Sequence, residues 1–367
     1  ACEIGGLDVI QATQQGDIHA RVVVIGGGIS GLAAALRLRM LLPDVTITVV
    51  ESTANLGGKI VGEIAEGCVI DGGADVCIGD KLRTTHLFDS LDLASHVIRA
   101  NPNGLPTYEL RDGYLQRLPT SFPGELLTFP GGVRELVERA CAALNDIEVL
   151  RSTRAETVES EGGKWRVRIV GATSLIADAV VVATPASAAA SLVPAIAAEL
   201  ASTLCSLEYP LTTTVTMAWR RADVLHPLNA TGYLVAAADA PVSACTFTSA
   251  KNPSHAPEGI ALVRCYIRHD VEDPVELMRQ EVESVLGISA PPQFVRFYRW
   301  SSGIPLYTAA HAAAVRTLET QIQSTPGVFV AGSAFHGVGI PDCIQSGESA
   351  AERVVSYLVA RPTEAAA

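Results

Sequence analysis

Gly26, Gly28 and Gly31 stand in the spacing Gly-x-Gly-x-x-Gly. They follow the β-branched run Arg21-Val-Val-Val-Ile25 at once and open an Ala- and Leu-rich stretch from Ile29 to Leu42. In a strand–turn–helix setting each glycine has its own task. Gly26 permits the tight turn, Gly28 lets the backbone approach a pyrophosphate, and Gly31 lets helix and strand pack closely. Ile29 and Ser30 would offer helix-start amides, where unpaired N–H groups and the helix dipole favour an anion. Glu51 closes the next strand, 20 residues beyond Gly31, placed to accept a ribose 2′-hydroxyl with Ser52 beside it. A carboxylate there repels a 2′-phosphate. The chemistry predicted is dinucleotide binding.

Three further short stretches follow in order. Leu56-Gly57-Gly58-Lys59 lies just past the ribose position, Gly72-Gly73-Ala74-Asp75 follows Val69-Ile-Asp71, and Ala183-Thr184-Pro185 follows a Val-rich strand. Their order resembles the extended fingerprint of FAD-binding flavoenzymes related to amine oxidases. The resemblance implies non-covalent FAD, with contacts at Gly57, Gly58, Lys59, Gly73, Ala74, Val158, Ala183 and Thr184.

Residues 327–358 read GVFVAGSAFHGVGIPDCIQSGESAAERVVSYL. A strand would end at Ala331-Gly332, where a large group can come close to the backbone. Pro341 suits the first position of a helix. The amides of Gly339, Ile340 and Asp342 would then face the pyrimidine end of a flavin and stabilise negative charge there. The segment closely resembles the end of bacterial protoporphyrinogen and coproporphyrinogen oxidases, down to Gly-Val-Gly-Ile-Pro-Asp-Cys-Ile at 337–344. Arg299-Trp300, Pro305-Leu-Tyr307 with His311, Thr246 to Lys251 and Phe129-Pro-Gly-Gly132 are similar to further landmarks of that family. The likeness implies FAD contacts at Gly332, Ser333, Gly339 and Ile340, and substrate contacts at Tyr307, Trp300, His336 and Arg111. It departs in one region. The family places a helical lobe after a Leu-Pro matching Leu118-Pro119, whereas here Thr120 to Thr128 crosses directly to Phe129. Thr107 stands where some members have an arginine, and Leu306 replaces the usual glutamine before Tyr307.

The resemblance implies hydride removal from a porphyrinogen meso carbon to flavin, loss of a pyrrole N–H proton, and reoxidation by oxygen. The substrate would be coproporphyrinogen III or protoporphyrinogen, in haem synthesis. A smaller heterocycle or amine as substrate, or a non-catalytic flavin- or porphyrin-binding role, stays open. No catalytic residue is assigned. His311, His336 and Lys251 lie near cofactor-facing segments, but packing or solvated roles account for them equally. Arg111, Arg117 and Arg299 are able to pair carboxylates, with surface roles as the default.

Composition bounds the rest. The 367 residues carry 27 basic and 39 acidic side chains, a net charge of −12. That balance disfavours nucleic acid and anionic membranes as partners. The eight cysteines show no Cys-x-x-Cys pair, so neither a disulfide framework nor a zinc or other metal site is expected. Without a signal peptide or membrane-spanning stretch in view, the expectation is a cytoplasmic protein with reduced thiols and no stable membrane insertion. A homodimer is left open.

The elements that must position these residues follow from periodicity. Strands are predicted at 21–25, 45–50, 147–150, 164–170, 179–183 and 327–331. Helices are predicted at 29–42, 131–144, 186–204, 272–286 and 347–358. Alternating segments between 210 and 268 predict an antiparallel sheet. The fold class is α/β (α+β overall): a discontinuous Rossmann-like FAD-binding domain (21–80, 128–185 and 312–360) with an inserted antiparallel-sheet substrate domain (81–127 and 186–311). A polar, flexible N-terminal arm is expected over 1–20.

Overall fold

The structure is a computed structural model that describes residues 18–119, 124–193 and 198–361. Its centre is a five-stranded parallel sheet in the order Glu148–Leu150, Thr46–Val50, Arg21–Ile25, Ala179–Val182, Val328–Val330. Strands buried on both faces need continuous apolar runs, and Val22 to Ile25 and Ala179 to Val182 are such runs, all buried. The helix Ile29–Leu41 crosses from the first strand to the second and is apolar nearly all round. It packs on this sheet side by side with the closing helix Ile340–Ala360. Gly347 makes that contact, because a side-chain carbon there would collide with the Ser30 carbonyl.

A second, seven-stranded sheet runs Phe294–Trp300, Thr212–Arg220, Ile260–Arg268, Val242–Thr246, Gly232–Val235, Thr107–Arg111, Tyr114–Arg117. Its pairs are antiparallel except Gly232–Val235 against Thr107–Arg111. Side chains alternate across it. Val215, Met217, Val263 and Cys265 pack with Met278, Val282 and Leu286 of the helix Pro274–Leu286. Thr214 opposite Tyr266, and Thr216 opposite Arg264, take the other face.

The elements depart from the sequence expectations at several places. The helix expected over 186–204 is two helices, Ala186–Leu192 and Ala198–Cys205. Pro194 lies outside the described residues, yet the first helix ends before it, as the residue preceding a proline disfavours the helical region. The closing helix begins at Ile340, seven residues before Gly347, with Pro341 in its first turn. The strand Phe294–Trp300 and the helix Ala309–Gln323 were not anticipated. Of the arm expected over 1–20, residues 1–17 lie outside the described residues, as do 120–123 of the crossing to Phe129.

Candidate active site

At the carboxyl ends of the parallel strands opens a cavity of about 860 Å³. This is where open α/β sheets bind ligands, and the volume lies at the upper end for ligand sites. Gly26 turns with φ +109°, and its N–H donates to the Val50 carbonyl at 2.8 Å. A side-chain carbon at Gly31 would run into the Gly26 carbonyl, so Gly31 sets the helix against the turn and does not itself reach the cavity. Glu51, 8% exposed, accepts from the Gly27 N–H at 2.8 Å and from the Thr53 N–H at 2.8 Å. Its carboxylate is thereby fixed at the cavity wall.

From this end the cavity runs along Gly28, Ile29, Ser30, Ser52, Gly57, Gly58 and Lys59 to Gly73 and Ala74. Ala183, Thr184, Gly332, Ser333 and Ile340 complete the predicted positions on its wall. Two helices point their first turns at it, from Gly28 and from Gly339, so two positive dipole ends converge there. Lys59 is largely buried and donates to the Gly303 carbonyl at 2.7 Å, with its Nζ 5.0 Å from the Tyr209 ring centre. Burial pulls its pKa down to about 8, against a smaller upward push from Cys343.

The far end is built by the second sheet. Thr212, Thr214, Tyr266 and Trp300 face the cavity. The loop 72–75 is fastened across that sheet at several points. Thr214 Oγ1 donates to the Gly72 carbonyl at 2.8 Å, and Trp300 Nε1 donates to the same oxygen at 3.1 Å. Arg264 donates to the Gly73 carbonyl, and Lys251 Nζ donates to Asp75 Oδ2 at 2.7 Å.

Several predicted positions lie elsewhere. Val158 is fully buried in the core beside Trp165 and Val167, where its strand alternation turns it inward. The Gly339 N–H is taken by Asp342 Oδ2 at 3.2 Å, which leaves Val338, Ile340 and Cys343 on the wall. Tyr307 stands outside the cavity and pins its rim, donating to the Ser333 carbonyl and accepting from the Gly337 N–H, both at 2.7 Å. His336 faces a separate smaller cavity, 3.3 Å from Glu319. Arg111 is exposed on a hairpin and paired with Glu109. Arg299 pairs with Asp270, and His311 is buried against the Ala334 carbonyl at 2.8 Å. Lys251 is buried rather than solvated.

The sequence reading missed Thr153 to Glu156 and Tyr209 on the wall. The former follow the edge strand Glu148–Leu150, and position after a parallel strand was the available signal. Tyr209 sits in a loop that carries none.

The wall fits a dinucleotide with a flat ring system. At Gly28 a side-chain carbon would meet only the Gly58 Cα, at 3.9 Å, and at Gly332, with φ +132°, nothing within 4 Å. Both spaces open where backbone must approach a bound group. The buried Thr184 Oγ1 on the same wall has no partner among the described residues.

Comparison with known proteins agrees with this geometry. Residues 114–355 match the model for flavin containing amine oxidoreductases, and residues 24–91 that for an NAD(P)-binding Rossmann-like domain. The chain belongs to the flavin-containing amine oxidoreductase family. The coproporphyrinogen III oxidase of Bacillus subtilis (strain 168) is 28% identical over 254 residues, 66% of this chain and 54% of that protein. That of Staphylococcus aureus (strain NCTC 8325 / PS 47) is 31% identical over 156 residues, 40% of this chain and 34% of that protein. The chain thus spans about half or less of the length of these relatives. A solved structure from Exiguobacterium sp. 255-15, provisionally described as a protoporphyrinogen oxidase, matches in fold with TM-score 0.81 at 21% identity, covering 92% of this chain and 99% of that one.

Proposed function

We propose that the chain oxidises a porphyrinogen, coproporphyrinogen III or protoporphyrinogen, in haem synthesis. The observation that carries this reading is the continuity of the cavity from Glu51 to the sheet residues Thr214, Tyr266 and Trp300. It joins a dinucleotide end to a space walled by aromatic rings. The bacterial relatives described as coproporphyrinogen III oxidases support the substrate class.

The positions on the wall divide the work. Gly26, Gly28, Ile29, Ser30, Glu51, Ser52, Gly57, Gly58 and Lys59 hold the adenosine and phosphate part. Gly73, Ala74, Ala183, Thr184, Gly332, Ser333 and Ile340 hold the remainder, and Trp300 faces the substrate. When bound, FAD supplies the acceptor for hydride, and the protein supplies orientation and electrostatics. The segments 21–80, 128–185 and 312–360 form the FAD-binding domain in this reading, and 81–127 with 186–311 the substrate domain. Oxygen is the final acceptor, and the enzyme works in the cytoplasm. No helix among the described residues is long and apolar enough to cross a membrane.

The test is porphyrin fluorescence during aerobic incubation of the FAD-loaded protein with each porphyrinogen, against a boiled control. Growth well above the control supports the reading, and the faster substrate names the branch. Bound FAD without such growth overturns it.

A further inference from the structure

Beneath the loop 72–75 the chain buries a polar cluster that the reading above leaves without a task. His255 is fully buried, and its Nε2 lies 2.9 Å from the Phe129 carbonyl oxygen. A carbonyl only accepts, so this nitrogen carries the hydrogen. In the neutral ring Nδ1 is then a bare acceptor. It has no partner among the described residues and faces Asp71 Oδ2 at 4.0 Å. Two acceptors turned toward each other in a buried place need a donor between them, either a proton on one of the two groups or the hydrogens of a water. The span is too long for a direct hydrogen bond and suits one bridging water.

The surroundings are polar enough to hold that water. Asn252, 2% exposed, accepts the His255 N–H on its carbonyl at 2.9 Å, while both side-chain amide atoms lack partners among the described residues. The Arg264 Nε is unpartnered in the same way. Asp71 Oδ1 is already committed, accepting from the Val133 N–H at 2.9 Å. Charged and titratable groups reach Asp71 from every neighbouring element. They are Arg264 from the second sheet, Asp75 from the following loop, Lys251 from the helix Thr248–Lys251, the Cys77 thiol, and His255.

We infer that Asp71 and His255 form a one-proton site under the cavity floor, and that it takes up the proton released by the substrate. The inference rests on the proposed porphyrinogen oxidation for the source of that proton. In each oxidation step a substrate C–H bond breaks and hydrogen leaves with both electrons to the flavin. An N–H bond breaks with its electron pair kept on nitrogen, and the freed proton converts the Asp71 carboxylate to the acid. Burial raises the Asp71 carboxyl to about 7, and Arg264, which lowers it, only partly offsets this. Burial also lowers His255, so the ring stays neutral when the carboxyl takes its proton. Below a pH of about 7 the carboxyl is already protonated and accepts nothing, so turnover falls as pH falls through that value.

An infrared titration of the FAD-loaded protein reads the site without turnover. A carboxylic-acid band should vanish as pH rises through about 7 and be missing from Asp71→Asn. This variant keeps the oxygen that accepts the Val133 N–H. Its kcat at pH 8 should drop about tenfold or more with FAD content kept, and its acid limb should disappear. If Asp71→Asn fails to fold, His255→Gln decides, since it should move the midpoint of the wild-type band. A wild type without a titrating acid band, a band that survives Asp71→Asn, or a midpoint unmoved by His255→Gln overturns the site. An acid limb unchanged in Asp71→Asn overturns its use in turnover. A band that behaves as described in a protein that turns over no porphyrinogen keeps the proton site and rejects the substrate reading.

Discussion

Lys251 Nζ donates to Asp75 Oδ2 at 2.7 Å, and both side chains are nearly enclosed. One residue follows the second sheet's strand Val242–Thr246, and the other ends the glycine-rich loop at the cavity floor. Burial opposes both charges. For Asp75 the Lys251 and Arg264 charges outweigh that penalty and hold the carboxyl below its ordinary range. For Lys251 the Asp75 carboxylate does the converse and raises the ammonium. The pair ties the glycine-rich loop at the cavity floor to the helix that follows the second sheet's strand Val242–Thr246.

Removing Lys251 leaves the Asp75 charge buried without its hydrogen-bonded partner. Lys251→Met should therefore cost about 3–5 kcal/mol of stability, read from the denaturant midpoint. The double variant Lys251→Met with Asp75→Asn should recover part of that loss. A single variant as stable as the wild type would show that the pair contributes nothing.

Two glycines of the fingerprint should behave differently. Gly31→Ala drives a methyl group into the Gly26 carbonyl and should lower the melting temperature of the FAD-free protein. Gly28→Ala has room in the fold, so the melting temperature should hold. Its added methyl occupies the approach to the pyrophosphate, and FAD affinity should fall tenfold or more, about 1.4 kcal/mol. Equal effects of the two substitutions on FAD-free stability would contradict these roles.

Glu51→Gln keeps the shape but removes the charge that holds the Gly27 N–H and that, in the proposed reading, accepts the ribose hydroxyl. Hydrogen bonds to charged groups are worth about 1.5–3 kcal/mol, so FAD should bind roughly ten- to a hundredfold more weakly. Titration of FAD into the unloaded variant, followed by flavin fluorescence, measures this.

Lys59 gives the cavity a pH dependence. Its pKa of about 8 means that the unloaded protein carries a cation there at pH 7 and loses it by pH 9. An anionic cofactor is attracted to the charged form only, so FAD dissociation constants should rise as pH passes about 8. Lys59→Met should bind more weakly at pH 7 and lack that rise. A rise that persists in the variant would assign it to another group.

The parallel sheet and the glycine-rich part of the cavity wall were legible in the sequence, because they rest on local requirements. Apolar runs, glycines forced by close approach, and an acid at a strand end are all short-range signals. Val158 was misplaced because a seven-residue strand shows which face each residue takes only once its partners are known. The strand Phe294–Trp300 hid behind Arg296 and Arg299, which interrupt its apolar residues. The helix Ala309–Gln323 buries only His311, Val315 and Leu318 along one stripe, and His311 drew attention as a chemical group before its spacing did. The burial of Lys251 and the meeting of Asp71 with His255 join residues more than 150 positions apart, and no local pattern announces them.

A porphyrinogen that hands hydride to FAD in this cavity must reduce the flavin in the absence of oxygen. FAD-loaded protein and coproporphyrinogen III or protoporphyrinogen should be combined without oxygen while the oxidised flavin absorbance is followed. Rapid bleaching is expected with at least one of the two, and return of colour with porphyrin fluorescence when oxygen is admitted. Flavin that stays oxidised with both, yet is bleached by a chemical reductant, would contradict that hydride transfer.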